Sequence, residues 1–420
     1  MTPTPPDPVA SPPVRASRRR PWLALAAVLG PGLLAGLSDD DPAGITTYSA
    51  LGSRYGYQLL WVLVLSTIAL VLFHDLASRM GVVTGQGFIG LTRERFGVRI
   101  GSIALLLLVV ANVGTAAAEF AGLAAGFELL GVSRYISVPV AAFVITALVV
   151  RGDFHRVEHV LLALGTIFLT YVASAWLSHP DWGQVARGLV LPTIPAGSDA
   201  VVLVAATVGT TLAPWGLSFI QSYAVDKRLT TDQLADERVD VVIGSALTGL
   251  IGACVIVACA ATLFQAGRSF DSAADAAAAL EPVAGDVAAT LFAVGLLGAA
   301  VLAAAILPLS TAYSICEFAG LDAALDDRFA DARTFYVSIG VVTALATAIV
   351  LVPGAPLVSI LVGTQALNAV LLVPLLVLMV IMGRDPVLMG RHRAGARVTA
   401  AYVGAVAAIA ACVAGLVLIR

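Results

Sequence analysis

Three consecutive aspartates, Asp39, Asp40 and Asp41, interrupt an apolar stretch of the chain in the sequence SDDDPAGITTYS. The surrounding run from Pro21 to Leu51 is otherwise apolar and is long enough to cross a membrane. A carboxylate at membrane depth is costly unless protein or water surrounds it, and such residues typically mark ion pathways or proton relays. The aspartates therefore indicate a hydrated site, lined by protein, inside the membrane.

The backbone next to these carboxylates is also unusual. Pro42 has no amide hydrogen, and Gly36 and Gly44 add backbone freedom, so the sequence predicts a break in the helix near Asp41. Unpaired backbone groups inside a membrane persist only where protein or a water-filled cavity meets them, which points to the same hydrated site. The alternative is a short first helix followed by an extracellular loop, but the segment 45–51 is short and apolar for a loop.

A second interruption lies in the sequence VLVAATVGTTLAPWGLSFIQSYAVDKR, where Pro214 and Gly216 fall in the middle of a continuous apolar span. This span is the sixth along the chain, and the span with Asp41 is the first. Because five spans reverse the direction of the chain, two halves that begin at spans 1 and 6 would form an inverted repeat. Interrupted helices in corresponding positions of two halves are typical of the binding site of secondary transporters.

The composition places the whole chain in a membrane. Of its 420 residues 59% are hydrophobic and only 12% are charged, and the mean hydropathy is +0.94. These values lie outside the range of soluble globular domains. The predicted fold class is an all-α polytopic membrane protein with about 11 transmembrane helices. The predicted spans are 24–53, 58–79, 101–130, 135–150, 157–178, 199–225, 240–266, 286–320, 334–352, 355–383 and 396–419.

The distribution of basic residues predicts the orientation of the chain. With a cytoplasmic N-terminus, most of the 24 lysine and arginine residues fall in cytoplasmic connections, which predicts a multi-pass protein of the plasma (inner) membrane. Residues 1–21 are expected to form a disordered, basic cytoplasmic tail, with lipid binding as the alternative. Residues 22–420 then form a single transmembrane domain, in which 22–178 and 199–383 are the two repeats and 396–419 is an extra helix.

Several stretches resemble a known family, in the order in which that family has them. The sequence GPGLLAGLSDDDPAGITTYSALGSRYGYQLLW, followed by LASRMGVVTGQGFIGLTRERFG, resembles the first two segments of Nramp-type divalent metal transporters. GTAAAEFAGLAAGFELLG is similar to their third segment, VGTTLAPWG to their sixth and GTQALNAVLLVPLL to their tenth. The resemblance implies the LeuT-like fold, with an inverted repeat of segments 1–5 and 6–10 and alternating access around broken helices 1 and 6.

The resemblance implies a metal site, but the chain departs from the motifs that form it. Transition-metal members carry Asp-Pro-Gly-Asn in segment 1, with metal ligands from the Asp and the Asn; here Asp41 is kept and Gly44 replaces the Asn. In segment 6 those members carry Met-Pro-His, with the Met as a ligand; here Ala213 replaces the Met and Trp215 replaces the His. The implied site has therefore lost one oxygen ligand and one sulfur ligand, and Trp215 is expected to pack or to gate.

Five further positions complete the expected site. By resemblance, Thr210 supplies a backbone carbonyl ligand, Gln365 matches a glutamine of segment 10, and Glu119 matches an acidic residue near the proton path of the family. Asp40 is expected to contribute to the electric field or to a hydrogen bond behind the ligands. Thr211 is a further candidate ion contact, with a hydrogen bond inside its own helix as the alternative. Hydrogen bonding between helices is the alternative for Gln365, and packing against a polar group for Glu119.

The substitutions change the expected substrate. A thioether favours soft or borderline ions, whereas Mg2+ prefers oxygen ligands and retains several waters. With Ala213 and Gly44 in the site, we expect import of Mg2+, and also of Mn2+, as a partly hydrated ion, as in the Nramp-related magnesium transporter branch that these changes resemble. Segment 6 contains no histidine, so we expect proton coupling to be weak or absent. The alternative is a proton-coupled Mn2+/Fe2+ transporter of the general Nramp type.

Other classes of function find little support in the sequence. The motifs HExxH, GxSxG and the phosphate-binding loop are absent, so no enzymatic activity is expected. The four cysteines form no CxxC pair, and no cofactor is expected. The expected partners of this monomer are the divalent cation and the lipid bilayer, with no nucleic acid. An ion sensor that does not transport, and a sodium-coupled carrier of organic solutes, are the remaining alternatives.

Overall fold

The computed structural model describes residues 40–150, 170–268, 288–321 and 332–418, together with isolated positions between 268 and 288. Within these residues the ordered elements are all helical. Eight segments are long and apolar enough to cross a membrane, and Arg134–Val150 is a shorter apolar helix. The predicted all-α membrane fold is therefore confirmed. The predicted tail and much of predicted spans 1 and 5 lie outside the described residues.

The helices are numbered here in chain order. They are α1 (Pro42–Tyr55), α2 (Leu60–Thr84), α3 (Phe88–Phe96), α4 (Val98–Leu129), α5 (Arg134–Val150), α6 (Thr170–Leu177), α7 (Trp182–Val190), α8 (Ser198–Thr211), α9 (Pro214–Asp226), α10 (Leu234–Cys259), α11 (Ala288–Ala319), α12 (Arg333–Val350), α13 (Leu357–Arg384), α14 (Pro386–Met389) and α15 (Ala396–Leu418). A π-helical turn, Ala260–Phe264, continues α10.

Two helices, α3 and α7, lie where the hydropathy pattern predicts only connections. Each is nine residues long, which is too short to cross a membrane. Helix α3 also carries charged residues, among them Arg93 and Arg95. A search for long apolar runs therefore cannot find either helix, and these two connections are corrected to helical segments.

The structure contains the helix starts that the two predicted interruptions require. Asp41 has an extended backbone, with φ −75° and ψ 170°, and α1 begins directly after it at Pro42. Helix α8 ends at Thr211 and α9 begins at Pro214, with two non-helical residues between them. Proline is favoured at the first position of a helix, because the amide hydrogen that it lacks would have no partner there. Both α1 and α9 thus begin with a proline at the first helical position.

Both helix starts lie in the interior of the bundle. Every residue from Pro42 to Ser53 is buried, and α1 contacts α4, α8, α10 and α13. The segment 45–51 is helical, so the alternative of an extracellular loop at this place is wrong. Helix α15, in contrast, lies at the periphery and packs on α8 and α13. The fold therefore surrounds the two interruptions with protein, as backbone at membrane depth requires.

Candidate functional site

Asp41 combines a structural role with a position that is almost closed to solvent. Its Oδ1 atom accepts a hydrogen bond of 2.6 Å from the amide of Gly44, which satisfies one of the free amides at the start of α1. Asp41 is only 3% exposed. In the described part of the chain no lysine, arginine or histidine forms an ion pair with it. Gly44 contributes its backbone amide here and no side chain.

Two further carboxyl groups are buried beside Asp41. Asp40 precedes it, and both Asp40 oxygens lack a hydrogen-bond partner among the residues that the structure describes. Glu119, from the middle of α4, lies close to the Asp41 carboxyl group, and neither of its oxygens has a standard hydrogen-bond partner within the same residues. Three buried carboxyl groups without a neighbouring cation are costly unless protons or a bound cation neutralise them.

Helix α4 reaches this position because a glycine lets it approach closely. A Cβ atom added to Gly122 would overlap the ring of Pro42. Glu119 lies three residues before Gly122, almost one helical turn away, and therefore on the same side of α4. The contact between Gly122 and Pro42 thus positions Glu119 against the start of α1.

The carboxyl groups do not form a closed metal cluster. Within the described ranges, no three His, Cys, Asp or Glu side chains converge in an arrangement that could hold a metal ion. An ion held by Asp41 would therefore take its other ligands from backbone carbonyls and water. Open coordination of this kind suits an ion that keeps part of its hydration shell.

The second interruption provides one such carbonyl. In a helix the Thr210 carbonyl would accept a hydrogen bond from residue 214, but Pro214 has no amide hydrogen to donate. Thr210 is 2% exposed, and its hydroxyl has no partner among the described residues. Ala213, which begins α9 as the capping residue, offers no side-chain group to bind either the helix or an ion. The carbonyl of Thr210 therefore lacks its usual helical partner.

Thr211 is held by other contacts. Its hydroxyl donates a hydrogen bond of 2.7 Å to the Thr207 carbonyl and lies 2.9 Å from the hydroxyl of Tyr48 on α1. The hydrogen bond inside its own helix, which the sequence offered as the alternative, is present. Thr211 therefore joins α8 to α1 next to the two interruptions.

Trp215 lies in the first turn of α9 and is 1% exposed. Its ring centroid is 6.4 Å from that of Phe219, which stacks on Tyr223 at 5.0 Å. These rings are spaced four residues apart, so they line one side of α9. Trp215 thus packs at the second interruption, at a position that carries no titratable group.

Gln365 comes from α13 and is also buried. Its Oε1 atom accepts a hydrogen bond of 2.9 Å from Asn368, which donates a second one of 2.8 Å to Thr115 on α4. The Nε2 atom of Gln365 has no partner among the described residues. Helix α8 packs closely on this turn, because a Cβ atom on Gly209 would overlap the Gln365 carbonyl. Asn368 therefore makes the hydrogen bond between α13 and α4, and of the polar side-chain atoms of Gln365 only the amide nitrogen has no partner within the described residues.

Sequence reasoning missed a second polar region, between α9 and α11. Hydroxyl groups at Ser218 and Ser314 lie 2.9 Å apart, and Ser222 donates a hydrogen bond to Glu317. The available signal was the spacing of serines four residues apart inside apolar spans, at 218 and 222 and again at 310 and 314. That spacing puts each pair on one side of its helix but does not reveal that the two sides meet.

Comparison with known proteins identifies the family. A family model described as natural resistance-associated macrophage protein-like, Nramp, matches residues 32–419. The divalent metal cation transporter MntH of Yersinia pestis (strain Pestoides F) is 29% identical over 384 residues, which cover 87% of this chain and 89% of the relative. The protein of that name from Acidiphilium cryptum (strain JF-5) is 28% identical over 298 residues, 68% of each chain.

A solved structure has the same fold. The Eremococcus coleocola manganese transporter matches with a TM-score of 0.75 at 20% identity, covering 96% of this chain and 88% of the other. The match confirms the LeuT-like fold that the motifs implied. The chain therefore belongs to the Nramp family, whose members are membrane transporters of divalent metal cations and not enzymes.

Proposed function

We propose that this chain carries Mn2+ and similar divalent cations across the membrane by alternating access, together with protons. The relatives named as divalent metal cation transporters, and the manganese transporter that shares the fold, support this substrate. The structural observation that carries the proposal is the group of three buried carboxyl groups, Asp40, Asp41 and Glu119, at a helix start. A divalent cation and a proton would together neutralise a charge that nothing described nearby compensates.

In this proposal Asp41 binds the cation directly. The Thr210 carbonyl, freed by Pro214, completes the protein ligands with water molecules, and the free amide group of Gln365 binds one of those waters. Asp40 adds negative charge behind the ligands. The small residues Gly44 and Ala213 leave room for the retained waters, so that the ion is bound without being fully dehydrated.

Glu119 is the proton-binding group of the proposal. It is buried beside Asp41 and has no other standard partner among the described residues. A proton on Glu119 would lower the repulsion between the two carboxyl groups when Asp41 is ionised to hold the cation. Proton transport would then proceed without a histidine at the second interruption, where Trp215 stands.

A second candidate substrate is Mg2+, with weak or absent proton coupling. The observation that favours it is the absence of a thioether and of an amide side chain at Ala213 and Gly44, which leaves a site of oxygen ligands only. Such a site does not discriminate in favour of softer ions. Mg2+ entry without movement of protons would support this second candidate.

The proposed orientation has a cytoplasmic N-terminus in the plasma (inner) membrane. An ion pair of 2.6 Å joins Arg95 on α3 to Asp385, directly after α13. The connection after α2 and the connection after α13 therefore lie on the same side of the bundle. Both connections are rich in arginine, as the cytoplasmic side of a membrane protein requires.

The test is uptake by proteoliposomes that contain the purified protein, with Mn2+, Mg2+ and internal pH read in parallel. We expect saturable Mn2+ entry that acidifies the interior and that is faster when the outside is acidic. Glu119→Gln should retain Mn2+ binding and lose the acidification. Exclusion of Mn2+ would contradict the proposed substrate. Mn2+ entry with an unchanged internal pH, in both the wild-type protein and Glu119→Gln, would contradict the proposed proton coupling.

A further inference from the structure

The interface between α9 and α11 contains a continuous line of polar side chains, which we name the serine seam. Its members are Ser218 and Ser222 on α9 and Ser310, Ser314 and Glu317 on α11. The four serines are between 0% and 4% exposed. In each helix the serines are four residues apart, so they lie on one side, and the two sides meet.

Hydrogen bonds join α9 to α11 at three successive points along the seam. At one end Ser310 donates to the carbonyl of Trp215, at 3.2 Å, next to the second helix interruption. The hydroxyls of Ser314 and Ser218 follow at 2.9 Å, and Ser222 then donates to Glu317. The seam therefore leads from the proposed cation site to the last turn of α11.

Glu317 closes the other end of the seam against α3. Its carboxyl group lies beside the backbone amides of Ile89 and Gly90, at the start of α3. A Cβ atom on Gly87 would overlap this carboxyl group, so a glycine is needed for the approach. One carboxyl oxygen, Oε2, remains buried and has no partner among the described residues.

The end of the seam lies on the side that the arginine distribution predicts to be cytoplasmic. Arg93 of α3 donates to the carbonyl of Phe318, and Tyr313 donates to the carboxylate of Asp226 at 3.1 Å. These contacts hold α9, α11 and α3 together around Glu317. The Glu317 carboxyl group, on the same side as α3, would attract a cation that is leaving the site when it is ionised.

The chemistry of the seam suits an interface that opens and closes. Each hydroxyl bond contributes little net free energy, because water can replace either partner. Separation of α9 from α11 would therefore expose hydroxyl and carbonyl groups that water satisfies, and the line of oxygen atoms would face a hydrated cation. An apolar interface at this place would resist wetting.

We propose that the serine seam is the route by which the cation leaves the central site, and that Glu317 and Ser222 form a second, transient cation site at its end. This inference rests on the proposed function. Its ligand class is a hydrated divalent cation, because the available groups are oxygen atoms. The Oε2 atom of Glu317 is the group that is free to receive the cation.

The first test replaces Glu317 by glutamine, which keeps an oxygen that can accept the hydrogen bond from Ser222 but removes the charge. We expect Mn2+ uptake to fall about tenfold, because the transient site loses its negative charge. Mn2+ binding at the central site, measured by calorimetry on detergent-solubilised protein, should be unchanged. Glu94→Gln, on the exposed side of α3, is the matched control and should transport normally.

The second test measures whether the serine seam becomes accessible to water during transport. We expect Ser218→Cys to react with a membrane-impermeant thiol reagent from the side of α3, faster with Mn2+ present, and the reaction to block uptake. Ser245→Cys, equally buried on α10 outside the seam, should not react. Wild-type uptake by Glu317→Gln, or an unreactive Ser218→Cys that still transports, would overturn this inference. Failure of the wild-type protein to take up Mn2+ would instead overturn the proposed function.

Discussion

The chain contains two helix starts of the same local design in opposite surroundings. Asp41–Pro42 begins α1 and Asp385–Pro386 begins α14, and in both places the aspartate caps the helix while the proline occupies its first position. Asp41 accepts from Gly44 at 2.6 Å, and Asp385 accepts from Val387 at 2.8 Å. An aspartate cap followed by proline therefore begins a helix at two places in the chain.

The partners of the two carboxyl groups differ. Asp385 lies 2.6 Å from the guanidinium of Arg95, which neutralises it. Asp41 has Asp40 and Glu119 as its neighbours, and no described cation. A carboxylate that only needs to cap a helix can be paired with arginine. One that is buried among other carboxyl groups is suited to bind a cation that arrives and leaves.

The largest expected effect comes from disturbing the packing of Pro42, which has no counterpart at the exposed start of α14. Gly122→Ala would force α4 and the Pro42 ring apart, at a cost of about 1–3 kcal/mol. We expect a clear fall in melting temperature and at least a tenfold loss of uptake. Gly340→Ala, where the new methyl group meets no heavy atom within 4 Å, is the control and should leave both quantities unchanged.

A smaller, more specific effect is expected from adding a soft ligand opposite Asp41. Ala213→Met places a thioether at the second interruption, where the chain has no side-chain ligand. We expect the ratio of Mn2+ to Mg2+ affinity to rise about tenfold, because a thioether favours the softer ion. Competition of Mg2+ against Mn2+ uptake measures the ratio. An unchanged ratio would show that residue 213 does not face the bound ion.

The smallest effect is expected at Asp385. Its hydrogen bond with the Arg95 guanidinium, aided by the amide of Val387, lowers the pKa of Asp385 below its ordinary value. The stabilisation is therefore complete above the ordinary pKa of about 3.9 and is lost as the pH falls through the lowered value. Asp385→Asn should lower the melting temperature by only about 1 °C at pH 7, and the difference should shrink as the pH falls below the ordinary pKa. A difference that grows on acidification would have the wrong sign for this ion pair.

The sequence predicted the elements of the fold well, because hydropathy and proline positions are local signals. Predicted span 101–130 is α4, and the interruption predicted around Pro214 separates α8 from α9. The short helices α3 and α7 were missed, since nine residues of mixed polarity give no span signal.

Contacts between residues that are far apart in the chain could not be predicted from the sequence. The hydrogen bonds between Thr211 and Tyr48 and between Ser222 and Glu317 join positions that are 163 and 95 residues apart. The family resemblance placed Glu119 near the proton path, whereas its proximity to Asp41 and the approach of Gly122 to Pro42 are visible only in the structure. No hydropathy pattern reports such packing.

The most direct test of Asp41 as the cation ligand compares Asp41→Asn with Asp385→Asn in Mn2+ uptake by proteoliposomes. Both changes remove one carboxylate charge and keep an oxygen that can accept the capping hydrogen bond. We predict that Asp41→Asn folds, binds no Mn2+ and takes up none, while Asp385→Asn transports at the rate of the unchanged protein. Uptake at the wild-type rate by Asp41→Asn would contradict the assignment of Asp41 as the cation ligand.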